Sequence, residues 1–353
     1  MATYYVRPTN GSDANDGLSF GAAWKTTQKA HDTAIAGDTV ICCAEAVEQP
    51  TETIDVDTNL GSVTAEIYFV GANASGVEDG TVYTISGASL PDTTDLIRFA
   101  VATVIRFRNM RFTAAKRHGF AFDTNNSTIT TEDCRIDNCT SDGARITAGS
   151  PFVTLTAIRC EIDHNGAVGI NYGSVNRGVW RLNGCRIHHN GSSGIGSRWT
   201  FEITGCVIYR NAAYGLYCSD ASSGGVLASN TFFGNGSGSI YIGAIAGSRI
   251  HANCFVELAA AYCINVVTQA NTAHLPLITD NHYHGHATAA TNITGGTPGL
   301  GNVTGDPLFA STTDGAEDFT PQAGSPLIGA GFNGSTIGAV SAKESRSGFK
   351  HAS

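Results

Sequence analysis

The sequence predicts an all-β fold, a parallel β-solenoid of single-stranded coils with a helix at its N-terminal end. Three observations predict it. A unit of about 25 residues recurs through the middle of the chain, apolar residues alternate inside each unit, and the composition is rich in glycine and poor in charge. Gly fills 42 of 353 positions, about 12% against roughly 7% in ordinary proteins. Charged residues make up 14% against about 25%, so Ser, Thr and Asn do most of the polar work.

The first element is the N-terminal segment, residues 1–37. A short strand, YYV, runs into the loop TNGSDANDG, and Phe20, Trp24, Thr27, Ala30 and Ala34 then follow at helical spacing. Asp13, Asn15 and Asp16 make the loop oxygen-rich, but it lacks the remaining ligands of a calcium loop and reads as a turn.

The coils occupy residues 38–297. CRIDNCTSDGARI from Cys134, CEIDHNGAVGINY from Cys160, CRIHHNGSSGIGS from Cys185 and CVIYRNAAYGLYC from Cys206 align directly, and NTFFGNGSGSIYI from Asn230 continues the series. Met110 begins an earlier copy, and Asn253 and Asn281 begin weaker ones. The steps are 24, 26, 25, 21, 24, 23 and 28 residues, a drift that suits coils with variable loops. Counting the Cys or Asn as zero, position +2 reads Phe112, Ile136, Ile162, Ile187, Ile208, Phe232, Phe255 and Tyr283. Position −3 is likewise mostly apolar, with Phe107, Leu182, Ile203, Leu227, Ile250 and Ile278. Such alternation makes these segments strands with one inward face. Asn165, Asn190, Asn211 and Asn235 stand at +5, before a Gly-containing stretch and a second short strand. Asn and Gly tolerate the left-handed backbone that a sharp corner needs. No unit of this size buries its own inner face, so coils must stack, each pairing with the next at about 4.8 Å. The zero column, Cys134, Cys160, Cys185 and Cys206 followed by Asn230, Asn253 and Asn281, then points inward. Its thiols are expected to be buried and structural, and its amides to bond to one another or to turn carbonyls. Cys42 and Cys43 are neighbours in one strand and take no assigned role.

With these motifs in hand the chain resembles the right-handed parallel β-helix, pectate-lyase-like superfamily over nearly its whole length. The opening YYVRPTNGSDANDGLSFGAAWKTTQKAHDTAIAGDTVIC is similar to the first segment of many members, which implies that the helix plugs the open end of the solenoid. The end, GDPLF to DFTPQAGSPLIGAGFNGSTIGA, resembles their closing segment, which sets residues 298–340 apart from a tail, 341–353. The resemblance implies a fold and little about activity, because sites are grafted onto folds.

Composition excludes several functions. No Gly-X-Y period exists, and 42% hydrophobic content is too high for a disordered chain. A net charge of −9 without a basic run argues against nucleic acid as a partner. The longest mainly apolar stretch, Phe255 to Val267, is too short to span a bilayer and contains Glu257, so no membrane insertion is expected. MATYYVRPTN has neither a basic region nor an apolar core, so this chain shows no signal peptide and the expected setting is a virion or the extracellular space. The ten Cys form no CxxC pair, and no cofactor is expected.

Catalytic patterns are sparse. The pectin-hydrolase set implied by the resemblance (NTD, a DD pair, GHG, RIK) is absent, and His284-Gly285-His286 matches it only superficially. Uronate lyases need a Lys or Arg base, and no Lys lies between Gly119 and Thr336. One cluster stands out. If +1 and +3 face solvent, row +3 carries Asp137, Asp163, His188 and Tyr209, and row +4 carries Asn138, His164, His189 and Arg210. Asp137 and Asp163 would sit one strand spacing apart, near the ~5–5.5 Å separation of a retaining glycosidase pair. The histidines would act as acid or base, and Arg210 would hold a sugar carboxylate. The candidate catalytic set is therefore Asp137, Asp163, His164, His188, His189 and Arg210. Tyr209, Trp199 and Arg198 are the candidate ligand contacts, with Trp199 on a loop and Trp180 in the core. The competing reading is a solvated polar face, and row +1 (Arg135, Glu161, Arg186) looks like a ladder of weak surface ion pairs. His164, His188, His189 and Asp163 lack ligand spacing, and no metal is assigned.

Three function classes stay open at this point. The first is a bacteriophage virion protein, tailspike-like or capsid-decorating, contacting cell-surface glycan and other virion proteins, with a homotrimer as its expected assembly. The second is a polysaccharide lyase or glycoside hydrolase, and the third is an adhesin-like surface β-helix.

Overall fold

Each coil is three short strands joined by corners. In one of them, Ser127–Glu132 lies in sheet A, Arg135–Asp137 in sheet B and Ala144–Ile146 in sheet C, before the chain returns to sheet A as Val153–Ile158. Asp133 (φ 53°) and Asn138 (φ 54°) hold the left-handed conformation at the two corners that flank sheet B. Such corners favour Asn, Asp and Gly, yet Arg159, His164, His189 and Arg210 hold them in other coils, and the Asn at +5 expected to make the corner lie one residue beyond it. Coils stack parallel and in register, with Ile129 beside Leu155 and Ile136 beside Ile162.

This geometry comes from a computed structural model that describes residues 1–339 except 59–64, 124–125, 148–151, 174–177, 199, 219–223, 244–246, 259, 261, 267–275, 287–288 and 294–298. The tail 341–353 lies outside the described residues. The chain forms two compact units, an N-terminal one of Met1–Gly166 with Asn171–Gly178 and a C-terminal one of Ala167–Ile170 with Val179–Ser345. Both are built of the same three-sheet coils.

The inward columns are buried as the alternation requires. Position +2, from Phe112 to Tyr283, and position −3, from Phe107 to Ile278, are both sealed from solvent. Each such Ile or Phe contributes about 1.5–3 kcal/mol through burial, repeated coil after coil. In the N-terminal unit the column is aromatic: Phe107 touches Phe69, Phe112 and Phe120 at centroid distances of 5.4, 5.2 and 5.8 Å.

Two asparagine ladders satisfy the corners. In the C-terminal unit Asn230, Asn253 and Asn281 each accept the backbone N–H of the preceding rung, Cys206, Asn230 and Asn253, at 2.8–2.9 Å. Their Nδ2 groups donate to Ile203, Leu227 and Ile250 carbonyls. At +5, Asn211 Oδ1 accepts from Asn190 N and Asn235 Oδ1 accepts from Asn211 N. Buried backbone groups that no strand can pair are thereby satisfied. All ten cysteines are buried and unbridged, so the thiol column is structural.

The N-terminal helix is shorter than its apolar spacing suggested, covering Thr27–Thr33. Thr26 caps it by accepting the Lys29 N–H at 3.2 Å, and Asp13 accepts the Lys25 and Thr26 N–H groups. Asp13 is therefore spent on the turn. Trp24 precedes the helix in extended backbone, bridges Val6 and stacks on Tyr4 at 4.5 Å. The helix turns His31 onto Phe69, 4.4 Å away, and so lies over the aromatic column of the N-terminal unit.

The closing segment lies along the flank of the C-terminal unit. Its hairpin, Phe309–Ser311 with Asp318–Pro321, and the residues Leu327, Ile337 and Ala339 cover Val207, Tyr209, Phe233, Cys254 and Val256 on the outer face of sheet B. Sheet B is apolar on both faces here because both faces are covered.

Candidate functional site

Row +3 is buried, which corrects the expectation that it faces solvent. Asp137 and Asp163 are 0% exposed, Tyr209 2% and His188 3%. The reason differs between the two units.

In the N-terminal unit, row +3 is covered by the arginines of row +1. Arg111 grips Asp137 through Nε at 2.9 Å and Nη2 at 2.5 Å, and Arg135 grips Asp163 at 2.8 and 2.5 Å. Arg135 also lies 3.4 Å from Asp137, whereas Glu161 is 3.9 Å away. The outer face of sheet B here is thus a network of carboxylates and guanidiniums in which Asp137, Asp163 and Arg135 are buried and Arg111 and Glu161 partly exposed. Asp137 and Asp163 are Cα partners, as their spacing implied, but each carboxylate already holds a bidentate arginine. They form no open acid–nucleophile pair.

His164 escapes burial because its corner is left-handed (φ 53°), which turns the side chain off the strand. Its Nδ1 lies 2.6 Å from Asp163 Oδ2, and its side chain is 47% exposed. The hydrogen bond to Asp163 raises the His164 pKa despite partial desolvation. The pair can therefore hold or release a proton at the Nε2 edge.

In the C-terminal unit, row +3 is covered by the closing segment. Tyr209 stacks on His188 at 4.5 Å, meets Phe319 at 5.2 Å and accepts a hydrogen bond from Arg186 at 2.6 Å. Tyr209 is therefore sealed and offers no ring to a sugar. His189 and Arg210, at left-handed corners (φ 52° and 50°), reach the closing segment instead. His189 Nε2 lies 2.9 Å from Asp314, and Arg210 donates to the Thr312 carbonyl at 2.7 Å and lies 2.8 Å from Glu317. His189, Asp314 and Glu317 gather metal-type donors within 4.8 Å of one another. The Arg210 guanidinium, close to Asp314 and Glu317, already supplies the positive charge that a cation would bring. These residues act as a clamp. Arg198 is half-buried on the loop after Ile195–Ser197, and Trp199 lies outside the described residues.

Another face carries exposed chemistry that the sequence reading passed over. In sheet C of the N-terminal unit, strands Ile54–Val56, Ile97–Phe99, Phe120–Phe122 and Ala144–Ile146 bury their outer two residues and turn the middle one outward. The outward row is Asp55, Arg98, Ala121 and Arg145, in register. Asp55 grips Arg98 at 2.7 and 2.9 Å, and Asp142 accepts from Arg145 at 3.1 Å. Arg117, just before the Phe120 strand, is held by Asp95. The three guanidinium side chains are 42%, 37% and 44% exposed. Behind them, buried His118 accepts the Asp142 N–H at Nδ1, and burial lowers its pKa against the pull of Asp142 and Asp95. Asp142 is also bonded by Asn171 at 3.2 Å. Carboxylates orient each arginine from one side and leave the other edge toward solvent, an arrangement suited to binding anionic oxygens.

A family model described as the right handed beta helix region matches residues 65–180 and 154–304. No curated protein sequence matches. Among solved structures, pectate lyase Pel9A superposes with a TM-score of 0.73 at 17% identity, covering 96% of each chain. A rhamnogalacturonan lyase superposes with a TM-score of 0.57 at 13% identity, over 89% of this chain and 91% of that one. At such identities the likeness is one of fold.

Proposed function

We propose that this chain, which belongs to the right-handed β-helix family, acts on a polysaccharide, and that its ligand is an acidic glycan. One observation carries the reading. Arg98 and Arg145 stand on either side of buried Ala121, two coil spacings or about 10 Å apart, each braced by its own carboxylate. A pair of braced guanidiniums flanking a small residue suits carboxylates recurring along an extended chain. The names of the similar structures, a pectate lyase and a rhamnogalacturonan lyase, support a glycan as the ligand.

Affinity electrophoresis tests this directly. Gels cast with polygalacturonate should retard the protein, and neutral galactan should not compete. Arg98→Ala should weaken retention about tenfold, the lower end of a charged hydrogen bond's ~1.5–3 kcal/mol. Equal retention of Arg98→Ala and the parent protein would sink the reading.

Cleavage is a second reading, favoured by the half-exposed His164 bonded to buried Asp163. Incubation with the same polymers, following reducing ends and the absorbance of unsaturated uronates, should then show product that His164→Gln abolishes. Bacteriophage virion and surface-adhesin roles, with an extracellular or virion location, fit a glycan-binding solenoid with unbridged thiols. A homotrimer would be read from the native mass.

A further inference from the structure

We infer that the C-terminal unit carries a separate, uncharged glycan platform on the outer face of its sheet C. Tyr217 and Tyr241 are Cα partners on adjacent coils, and their rings stack at 5.0 Å with 16° between planes. Tyr214, at the start of the Tyr217 strand, adds a third ring 5.7 Å from Tyr217 and 5.3 Å from Tyr241. Its own register partner is Gly238, so Tyr214 leans over a position without a side chain. The row continues in register with Asn265 and Asn292, where Asn292 Nδ2 donates to Asn265 Oδ1 at 3.0 Å.

The chemistry of this row selects its occupant. Tyr217 is 38% exposed although strand tyrosines this close to a core could have been sealed by neighbours. The strands Tyr214–Cys218, Gly238–Ile242 and Tyr262–Val266 (YGLYC, GSIYI, YCINV) hold no charged residue. A phosphate, nucleic acid or uronate carboxylate would find no cation on them. The facing sides of Tyr217 and Tyr241 cover each other, so the row presents ring edges, phenol hydroxyls, the Tyr217 face over Gly196 and then amides, which match the C–H groups and rim hydroxyls of a pyranose chain. Tyr and Asn supply such contacts at low conformational cost. One ring or amide per coil gives a contact about every 4.8 Å, comparable with the length of one sugar residue.

The platform does not rest on the arginine row of the N-terminal unit, and one experiment separates them. The full chain is applied to an array of neutral β-glucan, galactan, mannan and xylan oligosaccharides, with polygalacturonate alongside. At least one neutral oligosaccharide should bind. The Tyr217→Ala/Tyr241→Ala double variant should lose that binding about tenfold or more, while Tyr217→Phe, which keeps the ring, should retain it. Arg98→Ala should leave neutral binding unchanged and lose only polygalacturonate. Thermal midpoints of all variants show whether each is folded. The inference is overturned if no neutral oligosaccharide binds. It is also overturned if the folded double variant binds as well as the parent, in which case the rings are only a cross-strand ladder.

Discussion

Replacing Asn253 by alanine removes one rung from the inner ladder of the C-terminal unit, and the cost can be worked from its partners. Asn253 is fully buried. Its Oδ1 accepts the backbone N–H of Asn230 at 2.9 Å and the Asn230 Nδ2 at 3.0 Å. Its Nδ2 lies 2.9 Å from the Leu227 carbonyl and 3.0 Å from both the His251 carbonyl and Asn281 Oδ1. Alanine leaves the Asn230 N–H and the Leu227 carbonyl without these bonds in the buried interior of the coil. At about 1–3 kcal/mol for each orphaned group, the loss is roughly 2–6 kcal/mol. That is a large share of a total stability on the order of 5–15 kcal/mol. Asn253→Cys, which installs the residue that Cys206 places in the same column, should cost less, since a thiol is a weak donor that fills part of the space. Asn183→Ala removes an exposed amide bonded to Thr204 and should cost under about 0.5 kcal/mol. Stacked coils can unfold piecewise, so urea midpoints should be read together with amide exchange at Asn230. If Asn253→Ala costs no more than Asn183→Ala, or leaves Asn230 exchange unchanged, the ladder is not what holds these coils in register.

Burial pushes the His31 pKa down to about 3, and its folded value therefore lies below the unfolded one. Below about pH 6.5 the unfolded chain takes the proton first, so stability falls with pH between about 6.5 and 3. His31→Phe, which can keep the stack on Phe69, should flatten that slope in acid melts, and an unaltered slope would refute the assignment. Glu257 runs the opposite way: burial lifts it to about 8, so its contribution is complete below the unfolded carboxyl value and fades as pH rises through about 8. Glu257→Gln should raise the denaturation midpoint at pH 9 and change little at pH 4; equal effects at both would count against it. Finally, a thiol reagent should find no reactive group in the native protein and ten after denaturation, because every cysteine is buried and unbridged. Fewer than ten in the denatured, unreduced chain would reveal a disulfide.

The coil was legible because its signals are local and repeated. Alternation placed Ile136, Ile162 and Ile208 inside, whereas the left-handed corner falls at +4, on His164, His189 and Arg210, one residue before the Asn expected to make it. Asn230 and Asn253 could be anticipated as ladder residues because an inward amide at a fixed position has only its own copies and turn carbonyls to bond, whereas Asn211, read as a corner residue, forms a second ladder. The length of the helix was less legible. Phe20 and Trp24 share its apolar spacing, yet Trp24 is drawn into extended backbone beside Val6 by the loop that Asp13 and Asn15 hold. A periodicity of side chains does not report where another strand will claim the backbone.

The site was harder to read for a related reason. Period-2 alternation states which residues point away from the coil interior, but outward and exposed are different properties. Asp137 and Asp163 point outward and are sealed by arginines from neighbouring coils; Tyr209 points outward and is sealed by a segment more than a hundred residues later, through Phe319. Neither cover follows from local pattern. Another outward column was present in the same alignment, at +11: Ala121, Arg145, Asn171, Gly196, Tyr217, Tyr241 and Asn292, broken at the unit from Asn253, where Ile264 is buried and Asn265 takes the outward register. Along it the side chains pass from guanidinium and amide to phenol, while the flanking positions are mostly apolar, with Ser197 and Thr291 as exceptions. On this row the N-terminal unit shows half-exposed, braced arginines and the C-terminal unit stacked tyrosines. Variation at an outward position between invariant-type core neighbours is thus a better guide to a solenoid's binding face than the density of Asp and His, which here went into holding the coils together.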